Sequence, residues 1–314
     1  MTEQNRALWN SSYNLWNSFE VITLNTNFRH GLGQWTHCLN RLRVGELTEE
    51  DEKLLEQRRL SNFPDLDQNK ACHVYYSNLE VDAYNTEQMN EIEEEEVKLE
   101  AEITVPKGYK LFITPHGTID DTQFRKTLSL KIGARVMLTF NVHIADSLIN
   151  GALGTIIGFV NGKKSVKAVI VAFDDPAVGE LQRIRYKEVC KDFKNQNGTP
   201  IFRSTLKTQG KAANSLNAHG ATVKITQFPL RLAFASTGHK LQGTTINSNL
   251  ICHGFIPIKG KGSVPKSLYY VMLSRCTTLD KIFLDEKFQL EKIRCSTRVL
   301  DEANRLDDMS LAKE

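Results

Sequence analysis

The stretch FPLRLAFAS at residues 228–236 constrains the fold more than any other part of this chain. It reads as one continuous apolar strand, without the alternation of a half-solvated sheet. That pattern belongs to a parallel sheet covered on both faces, and so to the α/β class. At its end the chain enters a polar turn, Ser236-Thr-Gly-His-Lys-Leu-Gln-Gly-Thr-Thr245. In α/β folds ligands bind at loops on the C-terminal ends of parallel strands. Lys240 can offer charge to a phosphate. Thr237, Thr244, Thr245 and the backbone N–H groups can offer neutral hydrogen bonds. The same residues also suit an ordinary polar turn.

Further elements surround this strand. Gln34–Val44 places Trp35, Cys38, Leu39 and Leu42 at helical spacing, with Gly45 as the C-cap. Thr48 and Asp51 form a capping box that starts a second helix, through about Leu60. Val21, Ile22 and Leu24 make a short β-type run, HVYYSN (73–78) a buried strand and EVDAYNTEQMNEI a helix. From Lys131 the texture changes. KIGARVMLTF, ALGTIIGFV and SVKAVIVAF are short β-rich runs, and Asn161-Gly162 between the last two signals a hairpin. These runs predict a small antiparallel barrel. The Asn- and Gly-rich stretch 194–220 predicts a long loop, SLYYVMLSR a helix or strand, KIFLDE a last strand and RVLDEANRL a terminal helix.

At 314 residues the chain has room for two domains. Its net charge of +3 conceals an asymmetry. Residues 46–102 hold 18 acidic and 5 basic side chains, and residues 151–225 hold 12 basic and 5 acidic ones. A basic module beside an acidic one suits a polyanionic partner, and equally suits two solvated faces. No run of about 18 apolar residues suggests a membrane span, and the N-terminus lacks the pattern of a secretory signal. Six cysteines without a CxxC pair predict reduced thiols in an intracellular compartment and no zinc ribbon. The histidines lack ligand spacing too, so no metal site is expected.

Tyr269-Tyr-Val-Met-Leu-Ser-Arg-Cys-Thr277 places Arg275 after an apolar run, where it could serve as an arginine finger at a domain cleft or simply cap a helix end. Together, FASTGHKLQGTT and YYVMLSRCTTLDKIFL resemble motifs V and VI of the Pif-type, RecD-like superfamily 1 DNA helicases, a kind also carried by Helitron-type transposons. VITLNTNFRHG resembles the motif IV region. LKIGARVMLTFN with LINGALGTIIGF resembles the Src-homology-3-like barrel that this family inserts into its second RecA-like domain. The four stretches stand in the family's order and span most of residues 20–290.

The resemblance implies a second RecA-like domain at 1–135 and 226–295, a barrel insertion at 136–225 and a tail at 296–314. It implies that Arg29 senses phosphate and that Arg275 is the arginine finger. His239, Lys240, Gln242 and Gly243, with Thr237 and Thr244 beside them, would form the loop that couples single-stranded DNA to the nucleotide cleft. One departure stands out. Gly238 occupies a position where the family carries a β-branched or aliphatic residue, which predicts a looser loop.

A helicase motor also needs GxxxxGK[ST], whose amides, lysine and hydroxyl hold phosphate and magnesium. The chain has none. Gly158–Lys164 is one residue short, and Gly254–Gly262 is one too long and lacks the hydroxyl. AVIVAFDD (168–175) imitates a Walker B strand, but within the β-rich region it reads as a barrel strand ending in a turn. The expectation is therefore the C-terminal part of an ATP-dependent 5′-to-3′ DNA helicase. Its partners would be single-stranded DNA and an N-terminal RecA-like domain absent here. ATP and magnesium would belong to the complete enzyme, with neither held tightly by this chain and no turnover alone. The resemblance implies an intracellular protein, in the nucleus if the organism is eukaryotic. A stand-alone single-stranded nucleic-acid-binding module and a scaffold of the same fold remain open.

Overall fold

The computed structural model describes residues 20, 22, 27–107, 109–110, 113–114, 117–119, 124–162, 165–209, 211–212, 222–254, 267–288, 293 and 297–311. Two larger sheets organise these residues. One is parallel and four-stranded, in the order Ala235–Thr237, Cys72–Tyr75, Leu250–Cys252, Ile282–Leu284. The other is antiparallel and five-stranded: Leu230–Leu232, Arg135–Leu138, Leu153–Asn161, Val166–Phe173, Gly198–Phe202. The mixed α/β class with a parallel sheet is thus the one expected from the sequence.

Helices flank the parallel sheet. Gln34–Val44 turns Trp35, Cys38, Leu39 and Leu42 into the core. It stops where Gly45 takes a left-handed φ of 79°, a conformation that costs glycine least. The capping box at Thr48 and Asp51 starts Glu49–Glu56, which ends short of Leu60. Ser77 and Glu80 form a second box at the head of Asn78–Glu91. Ser267–Leu273 is a helix, packed on Gln34–Val44.

Three readings change. FPLRLAFAS is not one strand in one sheet. Leu230–Leu232 pairs antiparallel with Arg135–Leu138, and Ala235–Thr237 then pairs parallel with Cys72–Tyr75. The run is apolar because it passes through two cores in succession, which a periodicity argument cannot distinguish. The expected loop at 194–220 contains Gly198–Phe202 and Ser204–Gln209, the second paired with Thr222–Gln227. Polar composition there reflects a partly solvated ladder rather than a loop. Strand pairing also carries the β-rich part beyond 136–225. Val97–Glu100 pairs with Thr127–Leu130, and Glu102–Thr104 joins Thr222–Gln227. The β-type run at Val21–Leu24 lies almost wholly outside the described residues.

Candidate nucleic-acid and nucleotide interface

The polar turn leaves the parallel sheet from Thr237, the buried last residue of the edge strand. The Thr237 carbonyl accepts from the N–H groups of Lys240 (3.0 Å) and Leu241 (3.2 Å), which curls the chain back. His239, Lys240, Gln242 and Gly243 stand exposed on this curl, and Thr244 is half-buried. Gly243 has φ +87°, so a side chain there would be strained. Gly238 corrects the expectation of a looser loop. A Cβ there would lie 2.6 Å from Met272 Cγ and 2.9 Å from Leu268 Cδ1, so glycine lets the Ser267–Leu273 helix press directly on the loop.

Arg275 follows that helix and is 7% exposed. Its Nε donates to the Val271 carbonyl (2.6 Å) and its Nη2 to Ser274 Oγ (2.6 Å). Its Nη1 donates to the carbonyls of Leu241 and Thr244, both at 3.4 Å. The arginine therefore ties the turn to the helix. Half-exposed Arg29 reaches the same corner and donates to the Ser274 carbonyl at 3.3 Å. Burial, and then the charge of Arg29, push the Arg275 guanidinium below its ordinary value. This pair of cations would welcome an anion.

Lys240 turns away from the arginine pair. Its Nζ donates to Asn78 Oδ1 at 2.8 Å, over a pocket of about 320 Å³ lined by Asp82, Thr118, Arg125, Arg231 and Ser236. Although the residue as a whole is exposed, desolvation of its ammonium, followed by the charge of Arg231, brings it down to about 8. A second opening of about 510 Å³ separates Gly243–Ser248 from Ser147–Leu153 and Asp174–Asp175. AVIVAFDD forms an antiparallel strand. Asp174 receives both Nη groups of Arg135 (2.6 and 2.7 Å), and Asp175 accepts from the Ala177 N–H (2.9 Å). Asp174 thus braces the Arg135–Leu138 strand, and Asp175 serves a turn. Among the described residues no three His, Cys, Asp or Glu side chains converge as a metal site.

Two groups escaped the sequence reading. Arg231 is a lone cation inside an apolar run, and that oddity was its only signal. His73, in Cys72–Tyr75, lies 2.9 Å from His253, whose Nδ1 is 2.8 Å from Asp285 Oδ2. Tyr84 Oη lies 3.0 Å from the other His73 nitrogen. These partners are far apart in sequence, so only the fold reveals the chain.

No family model matches this sequence. It is 25% identical to the ATP-dependent DNA helicase PIF7 of Trypanosoma brucei brucei, over 89% of this chain and 30% of that protein. It is 24% identical to the ATP-dependent DNA helicase RRM3 of Saccharomyces cerevisiae, over 92% of this chain and 44% of that protein. The chain therefore spans less than half the length of these curated relatives. Pif1 from Bacteroides sp. in complex with ADP-AlF4 superimposes with a TM-score of 0.65 at 21% identity, over 98% of this chain and 64% of that one. Pif1 helicase from Candida albicans gives 0.60 at 22%, over 91% and 61%. No helix among the described residues is long and apolar enough to cross a membrane. By sequence the chain is a homologue of the Pif1/RRM3-type ATP-dependent DNA helicases, and by structure it has the mixed α/β fold of the Pif1 helicases.

Proposed function

We propose that this chain is the C-terminal part of an ATP-dependent 5′-to-3′ DNA helicase and works as the half that grips single-stranded DNA. The observation that carries the reading is the tie through Arg275. One guanidinium holds the Leu241 and Thr244 carbonyls of the polar turn and lies beside Arg29. A strand that moves the turn must disturb the arginine pair, which is what coupling DNA to a nucleotide requires. Structures of Bacteroides Pif1 bound to single-stranded DNA, alone and with ADP-AlF3, support the two ligands.

In this reading residues 1–135 and 226–295 form the second RecA-like domain. Residues 136–225 form the core of a Src-homology-3-like insertion that braces the strand, and 296–314 a tail. His239, Lys240, Gln242 and Gly243 meet DNA, with Thr237 and Thr244 shaping their turn. Arg29 and Arg275 suit the anionic end of a nucleotide, and bound ATP with magnesium would supply phosphoryl transfer. The sequence has no GxxxxGK[ST] cradle, so the N-terminal RecA-like domain is the required partner. The protein then acts inside the cell, in the nucleus if the organism is eukaryotic. The same missing cradle favours, as a second reading, a stand-alone single-stranded nucleic-acid-binding module.

Fluorescence anisotropy with a labelled oligothymidylate tests the grip. The chain should bind weakly, with affinity falling as salt rises, and Lys240→Gln should weaken binding by about threefold or more. Unchanged affinity in a folded Lys240→Gln variant would remove the turn from the interface.

A further inference from the structure

The pocket of about 320 Å³ beside Lys240 lies where the chain passes from one sheet to the other. Its wall includes Arg231, in the short Leu230–Leu232 strand that pairs with Arg135–Leu138. The Arg231 Nη2 contacts Met137 Sδ at 3.0 Å and Ser236 Oγ at 3.4 Å. A thioether and a hydroxyl are weak partners for a guanidinium, and among the described residues no carboxylate forms an ion pair with it. Arg125 lines the same pocket and pairs with Asp82 at 2.8 Å. Lys240 completes the set from the rim, hydrogen-bonded to Asn78. The described lining thus sets three cations against one carboxylate, and that carboxylate is already engaged.

Holding a cation away from water without a counter-charge is costly. Burial pushes Arg231 down to about 10, and desolvation with the charge of Arg231 pushes Lys240 down to about 8. Both shifts describe cations that an anion would relieve. Arg231 offers a planar fork, Arg125 a second guanidinium, Lys240 a point charge, and Thr118 a neutral lining residue.

We propose that this pocket is a phosphate-binding site in which Arg231 is the principal ligand and Arg125 and Lys240 close over the anion. The source of the phosphate rests on the DNA-binding reading above: it is one backbone phosphodiester of a single strand that crosses the polar turn. The strand would be pinned at the pocket and pass over His239 and Gln242. Arg231 then acts as a backbone anchor, strengthening binding without selecting sequence.

The test compares the chain with Arg231→Met, which keeps the bulk and removes the charge, and with Arg231→Lys. Oligothymidylate binding is followed across salt concentrations, and melting temperature is followed with added inorganic phosphate. Arg231→Met should lower DNA affinity about three- to tenfold and reduce the slope of log K against log salt by about one, while Arg231→Lys keeps most of both. If Arg231→Met does not fold, Arg125→Gln decides, because it removes the cation facing Asp82 without touching the strand. If the chain ignores the oligonucleotide but inorganic phosphate stabilises it, and the variants lose that response, the pocket stands and the DNA reading falls. The pocket is overturned if folded variants match the parent in affinity, slope and phosphate response, or if the parent responds to neither ligand.

Discussion

The parallel-sheet half and the antiparallel half of this molecule treat buried polar groups differently. In the parallel half, polar side chains bridge separate elements. Arg275 joins a helix end to a turn, His73 lies between His253 and Tyr84, and Asn85 exchanges two hydrogen bonds with the backbone of Ala235 on the edge strand. In the antiparallel half the buried polar groups named next bond to backbone away from the polar turn. Asp146 accepts from the N–H groups of Leu181 and Gln182, and Gln227 bonds the backbone at Leu99 and Phe228. The first set of links thus includes the polar turn and its strand, where a ligand could disturb them, whereas Asp146 and Gln227 fix the backbone of the scaffold.

The sharpest way to break this contrast is Arg275→Met. It removes one donor each from the Leu241, Thr244 and Val271 carbonyls, of which Leu241 keeps the Thr244 N–H and Oγ1 and Val271 keeps Ser274 Oγ, so urea unfolding should show a loss of about 1–3 kcal/mol and hydrogen exchange should rise across residues 238–248. A silent substitution would mean that the arginine does not hold the turn. Next comes a matched pair of helix-capping aspartates, one from each half. Asp51 takes two Arg41 nitrogens at 2.7 Å, and Arg41, helped by the Thr48 backbone and against the opposing effect of burial, holds its carboxyl down at about 2. Because the folded carboxyl lies below its ordinary 3.8, its contribution is complete above that pH and drains as pH falls towards about 2. Asp51→Asn should cost about 1–2 kcal/mol at neutral pH, allowing for solvent around Arg41, and should flatten the acid limb of a stability–pH curve. Asp146→Ala should cost about 1 kcal/mol by loss of the cap, with exchange rising only near residues 180–185. Disturbance spreading from Asp146 to the polar turn would erase the distinction between the halves.

Much of the parallel half was legible because its signals are local. Gln34–Val44 shows its apolar spacing and its closing glycine, and Thr48 with Asp51 shows its box. The polar turn announced itself by breaking an apolar run. The remainder depended on contacts distant in sequence. Nothing local tells that residues 228–236 serve two sheets, since apolar character reports burial and not the partner. Gly238 read as slack because its contact, Met272, is 34 residues away and is set by how closely a helix approaches. Arg275 looked free to reach outward because its bonds across to the turn go to backbone carbonyls, which have no signature in a side-chain sequence.

The measurement that tests the central claim most directly is ATP hydrolysis with and without single-stranded DNA, for this chain alone and joined to the P-loop domain of a Pif-type relative. The account predicts no turnover by the chain alone, DNA-stimulated turnover by the joined protein, and loss of that turnover with Arg275→Met. DNA-stimulated hydrolysis by the chain alone would contradict it, and would mean that phosphate is cradled where no GxxxxGK[ST] motif exists.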